Sequence, residues 1–184
     1  MIDTEALFKP HIRLYGPVDD VMFHDFQKQM DAAPEGKDLV IELMTFGGDA
    51  DVGRRIALDI RKAQKQLARN MHFFGKTVVY SAGVTIMASF PRANRYLTND
   101  TVLLIHDRQI DRQIDLRGPI SACIATVKAA LSQLEIGQLL EKQGFDELIA
   151  GSDISQDEIY GLASTNWYLT ADEALKRKLV AKVL

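Results

Sequence analysis

Residues 78–88 read Val-Val-Tyr-Ser-Ala-Gly-Val-Thr-Ile-Met-Ala, an apolar run that a serine and a glycine interrupt. This pattern predicts a buried strand that ends at Ser81 and a short buried helix that begins directly after it. Phe46-Gly47-Gly48-Asp49-Ala50 also follows an apolar run, and His106 ends the apolar run 102–105. A glycine pair, a serine and a histidine therefore each stand at the end of a predicted buried strand.

Strands and helices alternate along most of the chain. Strands are predicted at residues 11–15, 39–44, 71–80, 96–97 and 101–105, and an edge strand at 180–184. Helices are predicted at residues 18–33, 50–69, 82–90, about 119–142, 155–163 and 171–178, and a turn at 34–37. This alternation predicts an α/β fold with right-handed crossovers and a largely parallel sheet flanked by helices. Nothing in the composition divides residues 1–184 into more than a single domain.

The three strand ends together indicate a nucleophilic site. Ligands of parallel sheets bind at the carboxyl ends of the strands, where Gly48, Ser81 and His106 are all expected. A serine needs a neighbouring base to act as a nucleophile, and an imidazole titrates near neutral pH. The backbone N–H groups of Gly48 and Ala82 are candidate donors to an oxyanion. Each feature alone is typical of a cap or a turn, whereas their joint order favours catalysis.

Composition excludes several classes of function. A net charge of -3 and 26% charged residues give no reason to expect a nucleic-acid partner. A single cysteine, Cys123, cannot form an internal disulfide, and its apolar helical surroundings predict a small core residue. The longest mostly apolar uncharged run, residues 77–92, is too short to span a membrane. Residues 1–5 lack a signal-peptide pattern, so we expect a cytoplasmic protein without membrane, metal or cofactor.

The helix after His106 carries a narrow apolar seam. Its apolar residues are spaced by three and four positions: Ile120, Ile124, Val127, Leu131 and Leu134. A seam of this width is typical of a helix that packs against another helix. We therefore expect contact with a second helix, which another subunit could supply.

These motifs resemble those of ClpP, the proteolytic subunit of the Clp protease, and its relatives in peptidase family S14. The likeness runs from about Ile12 to Val183, and the Ser81-to-His106 separation of 25 residues is that of the family. Residues 46–50 resemble its glycine-pair oxyanion motif, with Phe46 where proline is usual. Further similar stretches are residues 80–84 (nucleophile motif), 104–107 (histidine motif) and 168–174 (C-terminal motif).

The resemblance implies a ClpP/crotonase-like fold of repeated β-β-α units, with a helix that protrudes after His106. It implies a serine endopeptidase that hydrolyses peptides or unfolded polypeptides. In such an enzyme Ser81 is the nucleophile, His106 is the general base, and Gly48 and Ala82 form the oxyanion hole. It also implies homo-oligomeric rings that meet through the helix after His106.

The sequence departs from the family at the third member of the triad. Counted back without gaps from the C-terminal motif, the catalytic aspartate falls on Leu162, which cannot orient an imidazole. Asn166 is the nearest substitute, whereas Asp107 would point away from His106 on a strand. Loss of the aspartate costs about 10⁴-fold in another serine protease, so we expect reduced activity. Ser164 and Thr165 are weaker substitutes, and Asp153 or Asp157 would need a shifted alignment.

Other departures indicate a divergent member. Only about ten residues precede the first predicted strand, so the axial loop of the family is reduced or absent. This argues against partnership with a Clp-type ATPase. The segment between Gly48 and Ser81 is longer than in typical members, and the loop after His106 lacks their Pro-Leu-Gly-Gly stretch.

Three other functions compete with the peptidase. A catalytically weak or inactive structural subunit of a ring is favoured by Leu162 but not by the presence of Ser81 and His106. A Ser-Lys dyad would use Lys128, which instead fits the solvated face of its helix. A crotonase-type acyl-CoA enzyme shares the fold and the oxyanion hole but gives Ser81 and His106 no joint role.

Overall fold

The computed structural model describes residues 2–34 and 38–184. The strands of this part of the chain are β1 (Ile12–Tyr15), β2 (Leu39–Thr45), β3 (Met71–Tyr80), β4 (Arg95–Leu97), β5 (Val102–Ile105), β6 (Trp167–Thr170) and β7 (Lys182–Val183). The α-helices are α1 (Thr4–Leu7), α2 (Asp20–Ala32), α3 (Ala50–Gln66), α4 (Ala82–Ala88), α5 (Ile120–Ile149), α6 (Gln156–Ala163) and α7 (Ala171–Lys176). A short 3₁₀ turn, Arg92–Asn94, precedes β4.

The sheet is largely parallel and branches at β3. Strands β1, β2, β3, β4 and β7 pair in that order, all parallel. The first half of β3 pairs with β4, and residues 78–80 pair with β5. Strand β6 is antiparallel to β5. Because β3 is ten residues long, β4 and β5 can both pair with it along the same edge. The predicted α/β fold, a largely parallel sheet with flanking helices, is confirmed.

The core lies between the sheet and helices α2, α3 and α4. Strand β2 is buried on both faces, as its continuous apolar run predicts. Helix α3 buries Ile56, Ile60 and Ala63, which lie on one face of the helix because they are four and three residues apart. Each fully buried aliphatic side chain contributes about 1.5–3 kcal/mol relative to its exposed state. This packing holds the carboxyl ends of β2, β3 and β5 in fixed positions at one edge.

Three elements differ from the sequence predictions. Helix α5 continues to Ile149 rather than ending near residue 142. Helix α1 and strand β6 were not predicted, because each spans only four residues and shows no clear periodicity. The register with β5 is what makes residues 167–170 a strand. The turn predicted at residues 34–37 lies, after Pro34, outside the described residues.

Helix α5 projects from the body of the protein. Its seam residues are all at least 45% exposed, and Ile120 is 79% exposed. Near its C-terminus, Phe145 and Leu148 are buried. The prediction of a core position for Cys123 is wrong: the residue is only partly buried, because the first half of α5 does not pack on the sheet. Among the helices of residues 2–34 and 38–184, none is long and apolar enough to cross a membrane.

Candidate active site

Ser81 occupies a strained turn between β3 and α4. Its φ and ψ angles are 53° and -116°, and its side chain does not cap the helix that it precedes. A positive φ is uncommon for residues other than glycine, and such strain persists only where the surrounding structure imposes it. The Ser81 N–H donates to the carbonyl oxygen of Leu104 at 2.9 Å, which fixes the turn. The interpretation of Ser81 as a simple helix cap therefore does not account for the structure.

The glycine pair packs directly against this serine. Gly47 and Gly48 have φ angles of 98° and 149°, in the region that favours glycine. A Cβ atom on Gly47 would lie 2.7 Å from the Cβ of Ser81, and one on Gly48 would lie 2.4 Å from the carbonyl oxygen of Val18. The Thr45 hydroxyl oxygen accepts a 3.0 Å hydrogen bond from the Gly47 N–H. The tight approach of the loop to Ser81 explains why two glycines occur here.

Two backbone N–H groups beside Ser81 are without a protein acceptor in the described part of the chain. Those of Gly48 and Ala82 donate no hydrogen bond to backbone or side chains there. Ala82 is the first residue of α4, so its N–H has no acceptor within the helix. Both residues line the same cleft as Ser81. These N–H groups are therefore available to a bound anion or carbonyl oxygen.

His106 lies directly after β5 and is half-buried. Its Nδ1 atom lies 2.7 Å from the carbonyl oxygen of Asp107. Because a carbonyl oxygen can only accept, Nδ1 carries the hydrogen, which leaves the lone pair on Nε2. A neutral imidazole in this tautomer can take a proton at Nε2. His106 and Ser81 line one cleft, although no hydrogen bond joins them in the described residues.

Asn166 directly precedes β6, and no hydrogen bond joins it to His106 in the described residues. Ile105 pairs with Trp167, and the next step of this antiparallel register would oppose His106 to Asn166. Asn166 has a φ of 62° and is exposed, and its side chain forms no hydrogen bond within the described residues. The acceptor at His106 Nδ1 is instead a backbone carbonyl. The role of Asn166 as an orienting group stays a prediction.

The other candidates for the third triad position have different partners. Leu162 lines a separate small pocket with Trp167. The hydroxyls of Ser164 and Thr165 donate to carbonyl oxygens of their own turn. Asp153 pairs with Lys178 at 2.9 Å. Lys128, the candidate dyad base, is exposed on α5.

The cleft that contains Ser81 and His106 has a volume of about 1010 Å³ and lies between the sheet edge, α3 and α5. Its three arginines are paired with carboxylates: Arg61 with Glu147 at 2.8 Å, Arg108 with Asp51 at 2.7 Å and Arg54 with Asp51 at 3.8 Å. Much of the remaining wall is apolar: Phe46, Val84, Ile105, Leu131, Leu134 and Phe145. A large cleft whose arginines are paired, and whose other charged groups are carboxylates, suits a ligand of mixed polarity better than a phosphate.

No three His, Cys, Asp or Glu side chains lie close enough together to hold a metal ion in the part of the chain that the structure describes.

Two cleft residues that bear on the position of His106 were not predicted from the sequence. They are Arg108 and Glu141. The Arg108 N–H donates to the Glu141 carboxylate at 2.5 Å. These residues are 33 positions apart, in an irregular segment and a long helix, so no periodicity or motif connects them.

Comparison with known proteins identifies the fold. The structure is similar to that of an asparagine-to-aspartate mutant of ClpP1 from Listeria monocytogenes, with a TM-score of 0.72. The alignment covers 98% of this chain and 94% of that chain, at 19% sequence identity. No family model matches the sequence, and neither does any curated protein. The chain therefore has a ClpP-like fold, which confirms the fold that the sequence motifs imply.

Proposed function

We propose that this protein is a serine endopeptidase that hydrolyses peptides or unfolded polypeptides. The observation that carries the proposal is the strained turn at Ser81, flanked by two unengaged N–H groups and sharing a cleft with His106. Backbone strain of this kind is concentrated at functional sites. The ClpP-like fold supports a peptidase-type hydrolase.

In the proposed mechanism, His106 Nε2 removes the proton of the Ser81 hydroxyl as Oγ attacks the carbonyl carbon of the substrate. The N–H groups of Gly48 and Ala82 hold the oxyanion that forms. The imidazolium then gives its proton to the leaving amine, and an acyl-enzyme on Ser81 remains. A water molecule, activated by His106, releases the acyl group. Hydrogen bonds between nucleophile and base often form only when substrate binds, so the open Ser81–His106 arrangement is compatible with this scheme.

The sequence-based candidate for orienting His106 is Asn166. An amide oxygen can accept from Nδ1–H, although it stabilises an imidazolium less than a carboxylate does. Asn166 would need to replace the Asp107 carbonyl as the acceptor. If it does so in the complex with substrate, Asn166→Ala lowers kcat and Asn166→Asp raises it. If the Asp107 carbonyl keeps this place, Asn166→Ala leaves kcat unchanged.

We also propose that the protein assembles into a homo-oligomeric ring. The seam of α5 supports this, because Ile120, Ile124, Val127, Leu131 and Leu134 are exposed in the single chain. Burial of such a continuous apolar stripe is a strong driving force for association. We expect the assembly in the cytoplasm, where a lone thiol such as Cys123 is compatible with a reducing environment.

A structural ring subunit without activity is the second candidate. It is favoured by the missing Ser81–His106 hydrogen bond and by the neutral acceptor at His106 Nδ1. The two functions differ in one measurement, the hydrolysis of a fluorogenic peptide and of unfolded casein by the assembled protein. The peptidase predicts turnover that Ser81→Ala abolishes. No turnover by an assembled, folded protein above the Ser81→Ala background would favour the structural subunit.

A further inference from the structure

The peptide unit that joins Asp107 and Arg108, next to His106, forms a hydrogen bond at its carbonyl oxygen and another at its N–H. The carbonyl oxygen of Asp107 accepts from His106 Nδ1 at 2.7 Å. The N–H of the same peptide unit, that of Arg108, donates to the carboxylate of Glu141 at 2.5 Å. A carboxylate on α5 is therefore connected to the imidazole through one peptide bond.

This connection has an electrostatic consequence. A carboxylate that accepts from a peptide N–H polarises the amide, so the carbonyl oxygen at its other end becomes a better acceptor. The hydrogen bond from His106 is thereby strengthened, most of all when the ring is protonated. The peptide plane is also fixed, since its orientation must satisfy both bonds.

A second contact, an ion pair, fixes the position of residues 107–108. The guanidinium of Arg108 pairs with Asp51 in the first turn of α3 at 2.7 Å. Residues 107–108 are thus anchored to α5 and to α3, although they belong to no helix or strand. Irregular backbone needs such contacts to hold a side chain in one position.

Other carboxylates of the cleft do not have this connection. Glu147 pairs with Arg61, and Asp51 pairs with the Arg108 side chain. Glu135 is exposed on the same helix and forms no ion pair or hydrogen bond within the described residues. Glu141 is therefore distinguished by its contact with the peptide that holds His106.

We propose that Glu141 is a positioning residue for His106 and acts through the Asp107–Arg108 peptide. In this role it orients the ring and stabilises its protonated form, as a carboxylate in direct contact does in a serine-protease triad. The inference rests on the proposed function, in which His106 is the base. Glu141 itself does not contact the substrate.

The test uses three variants: Glu141→Gln, Glu141→Ala and, as a matched change of charge outside the cleft, Asp172→Asn. The first readout is the pH dependence of kcat/KM for a fluorogenic peptide. Loss of the Glu141 charge makes the protonated ring less stable, so the acid limb moves to lower pH. We expect kcat/KM to fall about tenfold in Glu141→Ala and less in Glu141→Gln, whose amide oxygen can still accept. Asp172 is exposed on α7 and is not among the residues that line the cleft, so Asp172→Asn should match the wild type.

The second readout does not need activity. The NMR titration of the His106 ring is followed in Ser81→Ala protein, with and without Glu141→Gln. We expect the ring to titrate at a lower pH when the Glu141 charge is removed. Folding of each variant is checked by circular dichroism. An unchanged midpoint and an unchanged acid limb in folded Glu141→Gln would overturn the role of Glu141. An inactive wild type with a shifted midpoint would instead reject the peptidase and keep the connection.

Discussion

The backbone N–H of Ser81 donates to the carbonyl oxygen of Leu104 at 2.9 Å. This hydrogen bond continues the pairing of β3 with β5 by one step beyond Tyr80. It ties the turn at Ser81 to the strand end that His106 follows. Two residues 25 positions apart in sequence are therefore brought to one cleft by a parallel strand pair.

The first prediction concerns the close approach of Gly47 to this turn. A methyl group at Gly47 would overlap the Cβ atom of Ser81, at 2.7 Å, and so displace the serine. Gly47→Ala should lower kcat/KM at least tenfold and reduce the free energy of unfolding by more than about 1 kcal/mol. Peptide hydrolysis and urea unfolding check these two effects.

Gly16→Ala is the matched control for Gly47→Ala. Gly16 has a φ of 96°, almost the same as Gly47, but its Cβ would have no neighbour within 4 Å. The control therefore carries the backbone strain without the overlap, and it should keep its activity. Equal losses of activity in the two variants would mean that the approach to Ser81 is unimportant.

Periodicity and strand ends predict much of this fold. The continuous apolar run of β2 and the spaced apolar residues of α3 are each explained by burial on the sheet. Strand β6 was not predicted, because its four residues become a strand only by pairing with β5. A sequence pattern reports local burial, whereas such pairing depends on residues more than 60 positions away.

The candidate site could likewise be predicted only in part from the sequence. Gly48, Ser81 and His106 could be predicted because each follows a recognisable apolar strand. The acceptor at His106 Nδ1 could not, since it is a backbone carbonyl of Asp107 and carries no residue-type signal. Counting along the sequence led to Leu162, which lies at a different pocket. The strand register favours Asn166 as the residue opposite His106.

A second prediction concerns Phe46, which is 71% exposed at the cleft. Its ring packs edge-on against Tyr80 at 5.7 Å, and Tyr80 packs in the same way against Tyr168. This aromatic row next to Ser81 is suited to a large apolar side chain of a substrate. Phe46→Ala should raise KM about three- to tenfold for peptides with such side chains and leave kcat unchanged.

Stability measurements on Phe46→Ala and Phe46→Leu separate this role from a structural one. An exposed ring contributes little to folding, so urea unfolding should change by less than about 1 kcal/mol. Phe46→Leu should restore most of the affinity, because it keeps apolar contact area. An unchanged KM across apolar and polar peptides would exclude Phe46 from substrate binding.

A third prediction concerns the buried guanidinium of Arg95, which is 3% exposed. It donates to carbonyl oxygens at the ends of α4 and α5 and before β7, at 2.9–3.5 Å. Burial lowers the pKa of Arg95 to about 10, and nearby Arg92 acts in the same direction. The group is still charged at neutral pH. Arg95→Met should reduce the free energy of unfolding by about 3 kcal/mol, because it leaves buried carbonyls without donors.

Arg92→Met, at an exposed position three residues away, is the control for Arg95→Met. It should change the free energy of unfolding by less than about 0.5 kcal/mol. Both values come from urea unfolding followed by circular dichroism. A loss of stability of similar size in the two variants would contradict a special contribution from the buried hydrogen bonds.

A fourth prediction concerns the pH dependence of stability. Burial lowers the pKa of His72 below its ordinary value of 6.5, and the nearby carboxylate of Asp38 offsets part of this effect. The unfolded chain then binds more protons than the folded chain just below pH 6.5. The free energy of unfolding should therefore fall as the pH falls through this value.

His72→Phe tests this assignment, because phenylalanine fills the site beside Tyr96 without titrating. Urea unfolding between about pH 5 and pH 8 should show a weaker decline on the acid side than in the wild type. His24→Gln, at an exposed position, should keep the wild-type profile. If His72→Phe declines as steeply as the wild type, another group causes the acid destabilisation.

The most direct test of the proposed catalytic serine is covalent labelling with a fluorophosphonate, mapped by mass spectrometry. We expect one adduct per chain, on Ser81, that Ser81→Ala abolishes and His106→Ala strongly reduces. Lys128→Ala should label like the wild type, since its side chain is exposed on α5. An absence of labelling in the folded, assembled protein would contradict the role of Ser81 as a nucleophile, as would an adduct that survives Ser81→Ala.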